Sequence, residues 1–158
     1  MTINVFVLED ADNKFNLVKS IVEKHFDNKC YIQRATSMVE AADMIFDLQW
    51  NLFILDVSLD LSSKAQSFSI PTQTVLGGLQ VAKTIELEGL EAPTIIFTAF
   101  ESFSEGRAGK SAADIVDLAE VDRRATEILG ENHIGTVRFG ADQWASSFQL
   151  LLNEVNFG

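Results

Sequence analysis

Five residues of this 158-residue chain stand at or just after the ends of apolar runs and share a chemistry: Glu9, Asp10, Asp56, Thr98 and Arg138. The run Leu52 to Val57 is the most informative, because Asp56 alone interrupts its apolar character. Such a run reads as a central strand buried on both faces, where an unpaired carboxylate is costly. The plain alternative for Asp56 is a strand-end aspartate capping the next turn, and this stretch alone does not choose between the two. Ile3 to Leu8 is a second β-rich run that ends in acid, at Glu9 and Asp10. Two carboxylates about 4 Å apart repel by roughly 4 kcal/mol at an effective dielectric near 20, so converging acids require a counter-charge or a shared proton. Arg138 and a divalent cation answer that need. Hard oxygen ligands from Glu9, Asp10 and Asp56, with a backbone carbonyl from the Asp56 to Ser58 turn, Ser58 being the candidate, suit Mg²⁺, whereas zinc favours histidine or thiolate. With the metal present, Asp56 can attack a phosphoryl group to form an aspartyl phosphate, and Thr98 and Arg138 can bind its oxygens.

These residues need elements that bring them to one place. Asp12 is a candidate cap for a helix over about Asn13 to Phe26, with Phe15, Val18, Ile21, Val22 and Phe26 at helical spacing. Cys30 to Arg34 reads as a second strand. Ser37 and Glu40 form a capping box for a helix expected to turn Val39, Ala42, Ile45 and Phe46 inward. After Leu52 to Val57, Gly77-Gly78 opens a helix through Leu79, Ala82 and Ile85. Thr94 to Thr98 is a fourth strand, and Ser111 to Leu129 a long helix closed by Gly130. Gly135 to Phe139 makes a fifth strand. Asp142 is a candidate cap for a final helix with the stripe Trp144, Phe148, Leu151, Leu152 and Val155.

Strands alternating with helices imply a parallel sheet covered on both faces, a doubly wound α/β domain. Ligands in such folds bind outside the carboxyl ends of the strands, which is where the five residues fall. The expectation is one domain over 1–158 without internal repeat or linker. A net charge of −11 disfavours nucleic acid and anionic membrane surfaces as partners. One cysteine, Cys30, allows neither an internal disulfide nor a cysteine-built zinc site, and no run approaches the length of a membrane span. A cytoplasmic setting is the expectation. His25, His133, Lys14 and Cys30 read as packing or solvated residues.

Val7-Leu8-Glu9-Asp10, Phe53-Ile54-Leu55-Asp56, Gly78-Leu79-Gln80-Val81-Ala82 and Ile96-Phe97-Thr98-Ala99 together resemble the receiver domains of bacterial two-component response regulators. The resemblance implies a flavodoxin-like sheet in the order 2-1-3-4-5. It makes Asp56 the phosphoacceptor, Asp10 a direct Mg²⁺ ligand, Glu9 a ligand through water and Thr98 the switch hydroxyl. The implied partners are a sensor histidine kinase or phosphotransfer protein as phosphodonor and an output protein of unknown identity. A homodimer stays open as an assembly. The implied role is signal transduction and not enzymatic turnover.

The chain also departs from the family pattern. Its fifth strand carries Arg138-Phe139 where the family has lysine and proline, and a planar fork does not position phosphate as a compact ammonium does. The fork could instead clamp Asp56 or Asp10 in a resting ion pair. Gly135 stands where the family has an aromatic residue, and extra segments lie at about 58–76 and 100–132. The alternative is therefore a phosphorylation-independent interaction module, a pseudo-receiver. A phosphohydrolase using Asp56 is a distant third, with Asp60 its only evident acid or base.

Overall fold

A computed structural model of the chain describes residues 2–57, 77–98, 118–155 and 157. Ile3–Leu8 (β1), Cys30–Ala35 (β2), Leu52–Asp56 (β3), Thr94–Thr98 (β4) and His133–Arg138 (β5) form one sheet in the order β2-β1-β3-β4-β5. Every neighbouring pair is parallel, with one irregularity between Thr94 and Ile95 where β4 meets β5. Among the described residues the α-helices are Asp12–His25 (α1), Met38–Met44 (α2), Gly77–Leu87 (α3), Leu118–Leu129 (α4) and Trp144–Glu154 (α5).

The two-residue period of the strands divides the core in two. Phe6, Leu8, Phe53, Leu55 and Ile96 face α2, α3 and α4, while Val5, Val7, Leu52, Ile54, Ile95, Phe97 and Val137 face α1 and α5. β1, β3 and β4 are therefore apolar on both faces, and their functional groups emerge only at the carboxyl edge. The stripes expected on α1 and α5 are the ones that pack: Val18, Val22, Phe148 and Leu152 are buried, with Phe15, Ile21, Phe26, Trp144, Leu151 and Val155 around them.

Several local expectations are corrected. α1 begins one residue early, with Ala11 at the N-cap, so the exposed Asp12 is its first helical residue and pairs with Arg34 at 2.8 Å. Asp142 does not cap α5 either. That place belongs to Gln143, held at φ +63. Ser37 does cap α2, its Oγ accepting from the Glu40 amide at 3.1 Å, and Glu40 Oε1 accepts from the Thr36 amide at 2.7 Å. Of the residues expected inward on α2, Ile45 is buried and completes the triplet Met38, Ala41 and Ile45 that faces the core, whereas the offset triplet Val39, Ala42 and Phe46 is outward, with Val39 77% exposed and Phe46 55%. The two triplets have the same spacing and differ by one residue, so periodicity could not separate them. The small Ala41 lets the helix approach the sheet, and the chain turns back through Trp50, whose Nε1–H donates to the Ile45 carbonyl at 3.1 Å.

α4 is described only from Leu118, so the expected start at Ser111 lies outside the described residues. Gly130 follows α4 at φ +58, the left-handed conformation in which a glycine closes a helix. β5 begins at His133, two residues before the expected start, and Gly135 within it serves packing. A Cβ there would lie 2.7 Å from Leu151 Cδ2, so the α5 side chain fills the room.

Candidate functional site

The carboxyl ends of β1 and β3 are neighbours because the register pairs Leu8 with Leu55. Glu9 prolongs β1 by donating its amide to the Ala35 carbonyl at 3.0 Å, and it is only 3% exposed. Asp56 ends β3 at 2% exposure, and the next amide, Val57, donates to the Phe97 carbonyl at 2.8 Å. Asp10 stands exposed at the rim. One carboxylate oxygen from each of Glu9, Asp10 and Asp56 lies within 4.8 Å of the others, and three acids so placed form a candidate cation site. Thr98, fully buried, ends β4 directly opposite Arg138 in β5. The expected set thus reaches one edge: three acids form a cluster, and Thr98 and Arg138 stand as a pair on the neighbouring strands. Ser58 lies outside the described residues.

Two contacts hold the acids in place. Arg34 at the end of β2 donates from Nε to the Glu9 carbonyl at 2.8 Å and from Nη1 to Asp12 Oδ1 at 2.8 Å, tying β1 to the first turn of α1. Its guanidinium also lies over the Phe15 ring, 4.8 Å from the centroid. Behind Asp56, a Cβ on Gly78 would fall 2.5 Å from the Asp56 carbonyl oxygen and 2.7 Å from Val57 Cα. Those are backbone atoms, so only glycine lets α3 approach the end of β3 this closely.

The counter-charge is not where it was expected. Among the described residues no ion pair involves Arg138; the cation between the acids is Lys14, in the first turn of α1. Its Nζ lies 3.2 Å from Glu9 Oε1 and 3.1 Å from Asp56 Oδ2, with the side chain 13% exposed. It also sits 5.3 Å from the centre of the Phe139 ring. The reading of Lys14 as solvated is therefore overturned. The signal was present: Lys14, Val18 and Val22 fall at i, i+4 and i+8, so Lys14 heads the buried stripe of α1 at the end nearest the acids.

Among the described residues, one ammonium stands against two buried acids. Burial foremost, then the Asp56 charge, raises the Glu9 carboxyl from 4.5 to about 7, although the Ala11 amide and Lys14 oppose the shift. For Lys14, burial alone lowers the ammonium, but Asp56 and Glu9 outweigh it and the net shift is upward. The lysine stays charged, and the excess negative charge is met by a proton on Glu9 or by a further cation.

His25 and His133 are packing residues, as expected. His25 Nδ1 meets Gln149 Nε2 at 2.7 Å, and the His133 nitrogens meet the hydroxyls of Thr126 at 2.9 Å and Thr136 at 3.0 Å. On α4, Arg123 and Arg124 pair with Glu120 on the solvent side.

No protein-family model matches the chain, and no curated protein is similar to it. Solved structures are similar in fold. The non-phosphorylated HemR receiver domain from Leptospira biflexa superposes with a TM-score of 0.61 at 17% identity, over 97% of this chain and 93% of that one. The signal receiver domain of an HD domain-containing protein from Pseudomonas fluorescens gives 0.65 at 10% identity, over 98% and 94%. The receiver domain of the sensor histidine kinase PA1611 from Pseudomonas aeruginosa, described with a magnesium ion coordinated in its active site cleft, gives 0.59 at 12% identity, over 98% of both chains. The chain has the receiver-domain fold.

Proposed function

We propose that the chain is a receiver-like signal-transduction domain in which Asp56 accepts a phosphoryl group with Mg²⁺ and thereby regulates a partner protein. The observation that carries this reading is the gathering of acids at the edge: Glu9, Asp10 and Asp56 bring carboxylate oxygens within 4.8 Å of one another, and among the described residues Lys14 is the cation paired with Glu9 and Asp56. The donor set fits Mg²⁺, being hard oxygens in carboxylate form without thiolate or imidazole. Asp10 and Asp56 would hold the ion directly and Glu9 through water, with the Ser58 carbonyl as a further ligand. When bound, the ion neutralises charge on the transferring group.

Asp56 supplies the nucleophile. Its carboxylate oxygen forms the new P–O bond as the P–N bond of a phosphohistidine donor breaks, and the departing imidazole nitrogen keeps the electron pair and takes a proton. Thr98 and Arg138, at the ends of adjacent strands, provide a hydroxyl and a positive charge for the phosphoryl oxygens. A sensor histidine kinase or phosphotransfer protein is the donor, and the output is a protein that reads the β4–β5 side. The reading assigns no turnover activity. Among the described residues no helix is long and apolar enough to cross a membrane.

Addition of Mg²⁺ with beryllofluoride, a phosphoryl mimic, is expected to move amide resonances at Asp56, Thr98 and Arg138, and Asp56→Asn to abolish the change. A spectrum that stays still at saturating concentrations of both counts against the reading. The alternative, a phosphorylation-independent interaction module, is favoured by one specific observation: Lys14 already pairs with Asp56 at 3.1 Å. Under that alternative Asp56→Ala retains partner binding and regulation, whereas a phosphoswitch loses its regulation.

A further inference from the structure

We propose that Lys14 is the first cation to meet the phosphoryl group on Asp56, so that the charge expected from β5 is supplied from the first turn of α1. The inference rests on the phosphoacceptor reading and assigns within it a residue that the receiver resemblance does not supply. Lys14 Nζ already lies 3.1 Å from Asp56 Oδ2, and the side chain is mostly buried. A phosphoryl group bonded to either Asp56 oxygen brings its own oxygens within a few bonds of that contact. An ammonium on a flexible four-carbon stem reaches them without moving the helix.

The charges support the assignment. Among the described residues, the three carboxylates, Lys14 and one divalent cation sum to zero. Turning the Asp56 carboxylate into an acyl phosphate dianion then adds a negative charge at the point where the ammonium stands. Lys14 answers it by leaving Glu9 Oε1, its second partner at 3.2 Å, and following the phosphoryl oxygens, which frees Glu9 for the water shell of the metal. Phe139 closes the other side, its ring centre 5.3 Å from Nζ, and a ring face favours a cation while excluding water. Arg138 has no such placement: among the described residues it forms no ion pair, and it serves as the outer cation.

The test measures two affinities by calorimetry on the full chain: Mg²⁺ alone, and beryllofluoride at saturating Mg²⁺. Loss of one charge-assisted contact is expected to weaken beryllofluoride binding by about tenfold to a hundredfold in Lys14→Met. Mg²⁺ is expected to bind that variant at least as tightly as wild type, because a like charge has left the site. Lys14→Arg, which keeps the charge, should recover part of the beryllofluoride affinity, and Arg138→Met should lose less than Lys14→Met. A residue that merely built the site would lower both affinities together, and that result overturns the proposal. So does unchanged beryllofluoride binding in Lys14→Met, or a larger loss in Arg138→Met. If wild type binds Mg²⁺ and beryllofluoride but Lys14→Met behaves like it, only this inference fails. If wild type binds neither, the phosphoacceptor reading fails and takes the inference with it.

Discussion

At the scale of single residues the site is defined by too much negative charge in too little space. Glu9 shows the consequence most clearly, since its carboxyl is raised from 4.5 to about 7 by burial and by Asp56. A raised carboxyl favours folding in its protonated form. Its stabilisation is therefore present in full below the unfolded value near 4.5 and lost as pH rises through about 7. Thermal unfolding in the presence of a chelator should show a midpoint that falls across this window, and Glu9→Gln should flatten that part of the profile. An unchanged profile in the variant would remove Glu9 as the cause. Arg34 makes a second residue-scale case, because it binds the Glu9 carbonyl and Asp12 at once. Arg34→Ala should cost about 1.5–3 kcal/mol, the range for hydrogen bonds to charged groups, and loosen the Glu9–Asp12 turn. Chemical denaturation measures the first effect, and faster amide exchange at Ala11 the second.

At the scale of elements, backbone contact decides where the acceptor sits. α3 approaches β3 through Gly78, where a methyl group would fall 2.5 Å from the Asp56 carbonyl oxygen. Neither backbone can yield without moving the other, so Gly78→Ala should destabilise the domain by about 1–3 kcal/mol, the usual cost of overpacking. Its amide spectrum should change around Asp56 and Val57. Equal stability with an unchanged spectrum would show that α3 is not seated as described.

Much of this level was legible in the sequence. Runs such as Leu52 to Val57 and Thr94 to Thr98 are too continuously apolar to be anything but central strands, and α1 and α5 carry one clear stripe each. The losses have physical reasons. α2 is short and carries two equivalent apolar triplets, Met38/Ala41/Ile45 and Val39/Ala42/Phe46, of which tertiary packing selects the first. Asp12 and Asp142 are good capping types, but Asp12 is drawn into an ion pair with Arg34, and the chain enters α5 through a left-handed residue at Gln143. The acid cluster could be read from strand ends alone. Its cation was legible only as the head of the Val18 and Val22 stripe, and Lys14 becomes a site residue when α1 packs over the edge shared by β1 and β3.

At the scale of the whole molecule, the fold gathers charge at one edge of a strongly acidic chain whose net charge is −11. A divalent cation bound there in the native state, and not in the unfolded chain, stabilises by mass action, about 2.7 kcal/mol at a hundredfold excess over the dissociation constant. Mg²⁺ should therefore raise the unfolding temperature of wild type more than that of Asp56→Asn at equal ionic strength. Equal shifts would reduce the effect to general screening of the acidic surface. The segments 58–76 and 99–117 lie outside the described residues, and with them the expected ligand at Ser58 and the expected acid at Asp60.

The central claim is that Asp56 is a phosphoacceptor, and intact-mass spectrometry tests it most directly. The protein is incubated with a small-molecule phosphodonor, with and without Mg²⁺. The account predicts a gain of one phosphoryl group that requires Mg²⁺, is released by hydroxylamine as an acyl phosphate must be, and is absent in Asp56→Asn. A wild-type mass that stays unchanged under these conditions, or an adduct that persists in Asp56→Asn, would contradict it.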